Sequence, residues 1–237
     1  GRRHLHCRRM VKLVLFDIDG TLVHTGGAGM KAFAQAFRQE FGIRDGSEKL
    51  KFAGRTDVSL VREFFNHNGI DPTPDHFRRF FSVYVELLQE QVRACEGGIF
   101  PGIHRLLSEL RALPEPPVIA LLTGNIRRGA EIKLAHYNLW HEFAFGGFAD
   151  DHEERDCIAA IAKQRGEAAC GRPLSGQEVL VIGDTPLDIR CARAIRARVL
   201  AVATGGHSLA ELEEHQPDWA VPDLSQLTAR EICLVNG

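Results

Sequence analysis

The 237-residue sequence lacks most of the features that assign a chain to a function class at a glance. No apolar run reaches the roughly 18 residues of a membrane-crossing helix, so no membrane partner is expected. No two cysteines stand in a CxxC spacing: Cys7, Cys95, Cys157, Cys170, Cys191 and Cys233 are scattered. That argues against a structural zinc site and against a disulfide framework. Scattered free thiols suit a reducing compartment, so a cytoplasmic location is the expectation. An excess of either charge is also missing. The formal net charge of −2 offers no broad basic field, so no nucleic-acid partner is expected. The small-residue stretch His24 to Gly29 contains no Gly-Lys-Ser/Thr and does not complete GxGxxG, so neither nucleotide-binding loop is present. Residues 1–9 are basic but have no apolar segment, so no signal peptide is expected there. They read as a flexible leader, with a short nucleic-acid arm as the alternative.

What is present is a chain able to bury a core, 44% hydrophobic and long enough for one large domain or two smaller ones. The stretch around which it is organised is VKLVLFDIDGT, Val11 to Thr21. Five of the six residues before Asp17 are apolar, the signature of a buried strand. Side chains two apart on a strand face the same way, so Asp17 and Asp19 point into one space if the strand persists. Two adjacent carboxylates repel unless a shared proton or a cation relieves them. Mg²⁺ takes oxygen ligands of this kind. The competing reading is a polar strand end closed by an Asp-Gly turn.

Behind this motif the pattern becomes helical. Phe33, Phe37 and Phe41 recur every four residues ahead of Gly42, a plausible C-cap. Thr56 or Asp57 can cap a second helix. A third follows Pro74, with Phe77, Phe80, Phe81, Tyr84, Val85, Leu88 and Val92 as its apolar stripe. These Phe stripes read as core rather than as a ligand cage. Residues 25–99 are therefore expected to form a helical domain, and 1–24 with 100–237 an α/β core domain. In the second half, strands at 118–122, 179–182, 199–203 and 219–221 alternate with helices. A short apolar segment, 143–148, interrupts them. The expected fold is a Rossmann-like parallel sheet with helices on both faces and an inserted helical unit. Ligands of such sheets bind beyond the carboxyl ends of the strands.

Four strand ends carry polar residues: Asp17-Ile18-Asp19-Gly20-Thr21, Thr123-Gly124-Asn125, the run Asp150 to Arg155, and Gly183-Asp184-Thr185-Pro186-Leu187-Asp188. Each admits two readings. Thr123 or Asn125 either caps the next helix or, with the backbone N–H of Gly124, holds a phosphate. Asp188 completes a capping box with Thr185 and Pro186. Asp184 has no such local role and suits a metal shared with Asp17. Arg155 either answers Glu153 and Glu154 at the surface or reaches a phosphate bidentately.

Taken in order, DIDGT, TGN, a basic residue and GDTPLD resemble the haloacid dehalogenase superfamily, over nearly the whole chain. The helical insertion resembles the subclass with a cap between the first two motifs. Within it the chain is most similar to phosphatases of the phosphoglycolate phosphatase type. The resemblance implies a Mg²⁺-dependent hydrolysis of a small phosphorylated metabolite. Asp17 would be the nucleophile that forms an aspartyl-phosphate, and Asp19 the acid and then the base. Mg²⁺ would be held by the Asp17 carboxylate, the Asp19 backbone carbonyl and Asp184, with Asp188 on the metal or its water. Thr123 and Asn125 would contact the phosphoryl oxygens. Gly20, Gly124, Asn125 and Arg55 are the expected substrate-binding positions, and His24 lies at the mouth or in the hinge. Where relatives usually carry a lysine this chain has Arg155, with Lys163 two helical turns further on. Arg155 is the expected cation.

Because Asp19 must be protonated when the leaving group departs, its pKa is expected to be raised by the helical unit excluding water. A phosphosugar mutase on the same core is the alternative reading, and a non-catalytic phosphoryl-ligand binding protein the alternative of another class. A monomer or homodimer is expected.

Overall fold

The computed structural model describes residues 10–234, so the leader expected for residues 1–9 lies outside them. A six-stranded, all-parallel sheet forms the centre. Its strands are β1 (Leu13–Phe16), β4 (Val118–Leu122), β5 (Gly146–Gly147), β6 (Val179–Gly183), β7 (Arg198–Val202) and β8 (Trp219–Val221), in the spatial order β5-β4-β1-β6-β7-β8. The chain fills one side of β1 first and then the other. That reversal puts the ends of β1, β4 and β6 at the topological switch point, where such sheets bind ligands.

Both faces of the sheet are covered. Val14 and Phe16 point into one apolar cluster, with Ile103, Leu106 and Leu110 of α4 (Ile103–Arg111). Leu13 and Leu15 point into the other, with Ile158 and Ala162 of α6 (Arg155–Cys170) and Ile189 of α7 (Pro186–Ala194). Double burial explains why these strands read as unbroken apolar runs. The remaining core helices are α5 (Arg127–His136), α8 (Leu209–Glu213) and α9 (Ala229–Cys233). The last, five residues long and started by a Thr228–Glu231 capping box, was not anticipated from the sequence.

Helices α1 (Ala28–Phe41), α2 (Asp57–His67) and α3 (Pro74–Ala94) form the helical unit. Gly42, at φ 68°, ends α1, the Thr56 hydroxyl caps α2, and Pro74 opens α3 behind its cap Thr73. Phe37, Phe65 and Phe80 are fully buried, with the Phe37 ring 4.2 Å from Phe64 and 4.5 Å from Phe80. The Phe stripes are core, as their period implies. At the two junctions of the helical unit runs a two-stranded antiparallel ribbon: β2 (Val23–His24) pairs with β3 (Gly98–Ile99). Two-residue strands carry no readable alternation.

Candidate active site

Along β1 the pairing with its two neighbours ends at Phe16, opposite Leu121 and Ile182. Asp17, Thr123 and Asp184 follow within two residues, which is why segments far apart in sequence meet. The regular strand β1 stops before Asp17, but the alternation continues: Ile18 is buried in the core, while Asp17 and Asp19 both line one cavity of about 390 Å³.

Asp17, Asp184 and Asp188 are buried, with one carboxylate oxygen of each within 4.8 Å of those of the other two. Burial, then the charge of Asp188, pushes Asp17 up to about 7 against the pull of Arg155. Burial, then the charges of Asp17 and Asp188, holds Asp184 well above the usual carboxylate range. A cation would relieve both. The Thr21 hydroxyl fixes Asp184 by donating to Oδ1 at 2.9 Å. Gly20, at φ +81°, lets the chain pass beside it, since a Cβ there would lie 2.2 Å from Asp184 Oδ2. Hard oxygen donors around a buried negative cluster suit Mg²⁺. Asp188 is also fully engaged by protein. Its Oδ2 accepts from the backbone N–H groups of Asp184 and Thr185 and from the Thr185 hydroxyl, and its Oδ1 accepts from Arg155 at 2.5 Å.

Arg155 is the first residue of α6 and points inward, 6% exposed. Its Nη2 lies 3.2 Å from Asp17 Oδ1 and 2.5 Å from Asp188 Oδ1. Burial alone would lower its pKa, but the two carboxylates raise it further above its ordinary value. The surface reading fails: Glu153 pairs instead with Arg62, at 2.8 Å. Lys163 lies along the helix and faces Glu167.

Asn125 donates from Nδ2 to Asp19 Oδ2 at 2.8 Å and to Thr123 Oγ1 at 2.7 Å. Its Oδ1 accepts from Lys133, at 2.8 Å. Lys133 was not anticipated from the sequence. Its side chain is 6% exposed, and Nζ sits 2.9 Å from both oxygens of Asp19. The signal was local. Lys133 follows Gly129 and Ala130 by four and three residues, so a charge sits on the small-residue face of α5. Lys133 also overturns one expectation. Burial pushes the Asp19 pKa up, but the Lys133 charge and the hydrogen bonds from Asn125 and Lys133 outweigh it, and the pKa is lowered.

The helical unit is locked onto these strand ends. Asp57 donates its backbone N–H to the Gly124 carbonyl at 2.7 Å and accepts at Oδ2 from the Ile126 N–H at 2.8 Å. Burial raises the Asp57 pKa to about 6 against the charge of Lys133 and that N–H bond. Arg155 also donates to the Gly54 carbonyl, at 3.1 Å. A Cβ on Gly124 would lie 2.1 Å from the Arg55 carbonyl oxygen, so the two loops touch backbone to backbone. Arg55 itself lines the cavity but is paired with Glu63, at 2.6 Å. His24 lines it too, at the ribbon.

The family model described as haloacid dehalogenase-like hydrolase matches residues 14–202. A putative pyrophosphatase PpaX of Clostridium perfringens is 21% identical, the match covering 90% of this chain and 93% of that protein. A phosphoglycolate phosphatase of Synechococcus elongatus is 24% identical over 92% of this chain and 95% of its own length. Among solved structures, CbbY from Rhodobacter sphaeroides in complex with phosphate superposes with a TM-score of 0.73 at 19% identity, covering 92% of this chain and 96% of that one.

Proposed function

The chain belongs to the haloacid dehalogenase-like hydrolases and is a phosphatase; from that premise we propose that it hydrolyses a small-molecule phosphate monoester with Mg²⁺, through an aspartyl-phosphate on Asp17. The observation that carries this reading is the buried guanidinium of Arg155 set between Asp17 and Asp188, beside Asp184. A carboxylate nucleophile attacking an anionic phosphoryl group needs positive charge on both.

Asp17, Asp184 and the Asp19 carbonyl would hold the ion, with Asp188 beside it. Mg²⁺ would supply neutralisation of the phosphoryl oxygens. The residues of the chain do the rest. An Asp17 oxygen bonds to phosphorus as the bond from phosphorus to the leaving oxygen breaks. Asn125 and Arg155 orient the group, and Thr123 positions Asn125 by accepting from its Nδ2. The leaving alkoxide is a stronger base than a carboxylate or an amine, so it draws its proton from the Asp19–Lys133 pair. Asp19, ionised beside Lys133, then takes a proton from water, and that water attacks phosphorus. Phosphate leaves and Asp17 is regenerated. Residues 25–99 act as a cap over the core of 1–24 and 100–237, a reading supported by their own Phe-rich cluster, which meets the core at Ile126, Ile132 and Ala149.

The test is turnover of acetyl phosphate and an alkyl phosphate by wild type and Asp17→Asn, with Mg²⁺ and with EDTA. Activity that requires Mg²⁺ and is lost in Asp17→Asn is expected. Turnover that ignores EDTA or survives the substitution refutes the mechanism.

A further inference from the structure

The cavity that receives the phosphoryl group continues under the helical unit, and its wall there is largely apolar. Val23, Met30, Phe33, Phe52, Ala53 and Leu60 line it. Phe33 and Leu60 are 3% and 2% exposed, held in place by the core of the helical unit, so this part of the wall is rigid. Met30, 51% exposed, is the one large apolar side chain among the described residues left open to solvent. Chambers of a few hundred Å³ with such walls bind apolar bodies and use a few polar groups for orientation.

The charges on the wall point the same way. Each Lys and Arg lining the cavity already has an anionic partner. Arg155 serves Asp17 and Asp188, and Lys133 serves Asp19, with Asn125 as a further neutral acceptor. Arg55, which also lines the cavity, is tied to Glu63 at 2.6 Å. Asp57 adds a further carboxyl. Among the described residues lining the cavity, a second phosphate or a carboxylate would meet no uncommitted lysine or arginine. Desolvating an unpaired charge is costly, and a site built without its partner rejects it.

We propose that the leaving group is an uncharged alcohol with an apolar body, ring or branched alkyl, and not a carboxylate- or phosphate-bearing metabolite. This rests on the phosphatase reading above. It also assigns Glu63 a specificity-determining role: it neutralises Arg55 and so excludes a second anion.

The experiment compares benzyl phosphate with phosphoglycolate, both esters of ordinary alcohols, on the Mg²⁺-loaded enzyme, with acetyl phosphate as the check on turnover. The expected result is a kcat/KM at least about tenfold higher for benzyl phosphate. Glu63→Gln should raise kcat/KM for phosphoglycolate several-fold and narrow the ratio. Phe52→Ala should lower the ratio of benzyl phosphate to acetyl phosphate turnover about tenfold. Equal or better turnover of phosphoglycolate by wild type overturns the inference, as does a Glu63→Gln variant with an unchanged ratio. Calorimetric binding of benzylphosphonate against phosphonoacetate makes the same comparison without turnover. If acetyl phosphate is not hydrolysed, the phosphatase reading fails, while tighter binding of benzylphosphonate still upholds the chamber's preference and tighter phosphonoacetate refutes it.

Discussion

Replacing Lys133 by Met keeps most of the side-chain volume and removes the ammonium that holds Asp19. Lys133 Nζ makes three charge-assisted contacts, two to Asp19 at 2.9 Å and one to Asn125 Oδ1 at 2.8 Å. The Asn125 oxygen is buried and loses its donor, which costs about 1–3 kcal/mol. Asp19 is 46% exposed and can turn to water, so its lost pairing adds no more than about 1 kcal/mol. A total near 2–3 kcal/mol lowers Tm by roughly 4–12 °C in a chain of this size. The effect on catalysis depends on the leaving group. A positioned proton donor and acceptor is worth about 10²–10⁴-fold. It matters most when the departing oxygen is a strong base. For an alkyl phosphate kcat/KM should therefore fall by about 10²-fold, and for acetyl phosphate, whose leaving group is a weak base, by about 3-fold or less. The pH profile should shift as well. Without Lys133 the upward push of burial on Asp19 is less opposed, so its pKa rises and the limb it controls moves to higher pH. Steady-state kinetics with the two substrates decides the matter. An equal loss on both, with no shift of the pH profile, means that Lys133 only supports the fold.

Other perturbations bear on the rest of the site. Arg155→Ala leaves Asp17 and Asp188 buried without their cation and should cost about 3–5 kcal/mol, read as a drop in Tm, with activity on every phosphate ester lost. Mg²⁺ should raise Tm, and more at pH 8 than at pH 5. Asp17, with its pKa near 7, is protonated at the lower pH and must release that proton to bind the ion; an equal shift at both pH values refutes that coupling. Asp57 has a pKa raised from 3.8 to about 6, so the folded state holds a proton there that the unfolded chain has released. Its contribution is therefore lost as pH rises from about 4 to 6. Asp57→Asn, which keeps an acceptor for the Ile126 N–H, should gain on wild type across that interval by about 1 kcal/mol, the side chain being partly exposed. Denaturant titrations that show a constant difference refute the assignment. Gly124→Ala drives a methyl against the Arg55 carbonyl and should push the two loops apart, raising KM about tenfold while Tm falls.

Much of this site was legible because strand ends are legible. A doubly buried parallel strand must be apolar until it stops, so VLF before Asp17, VIALL before Thr123 and VLVI before Gly183 mark where polar residues leave the sheet. Asp188 shows the limit of a local reading. Its capping box is present, but the same carboxylate also holds Arg155, whose position depends on α6 starting beside α7. The two-residue strands β2 and β3 carry no readable alternation and were missed, as was the helix α9.

The sequence by itself determined the alternation of strands and helices, the Phe-packed insertion and the order in which the acidic and hydroxyl residues arrive at one edge of the sheet, because each follows from a local period or a local cap. Only the tertiary structure decided which charges meet. Arg155 turns inward to Asp17 while Glu153 takes Arg62, Arg55 is claimed by Glu63, and Lys133 reaches back from α5 to Asp19. Pairing of charges depends on distance and burial in three dimensions, and neither is encoded in the spacing of residues along the chain.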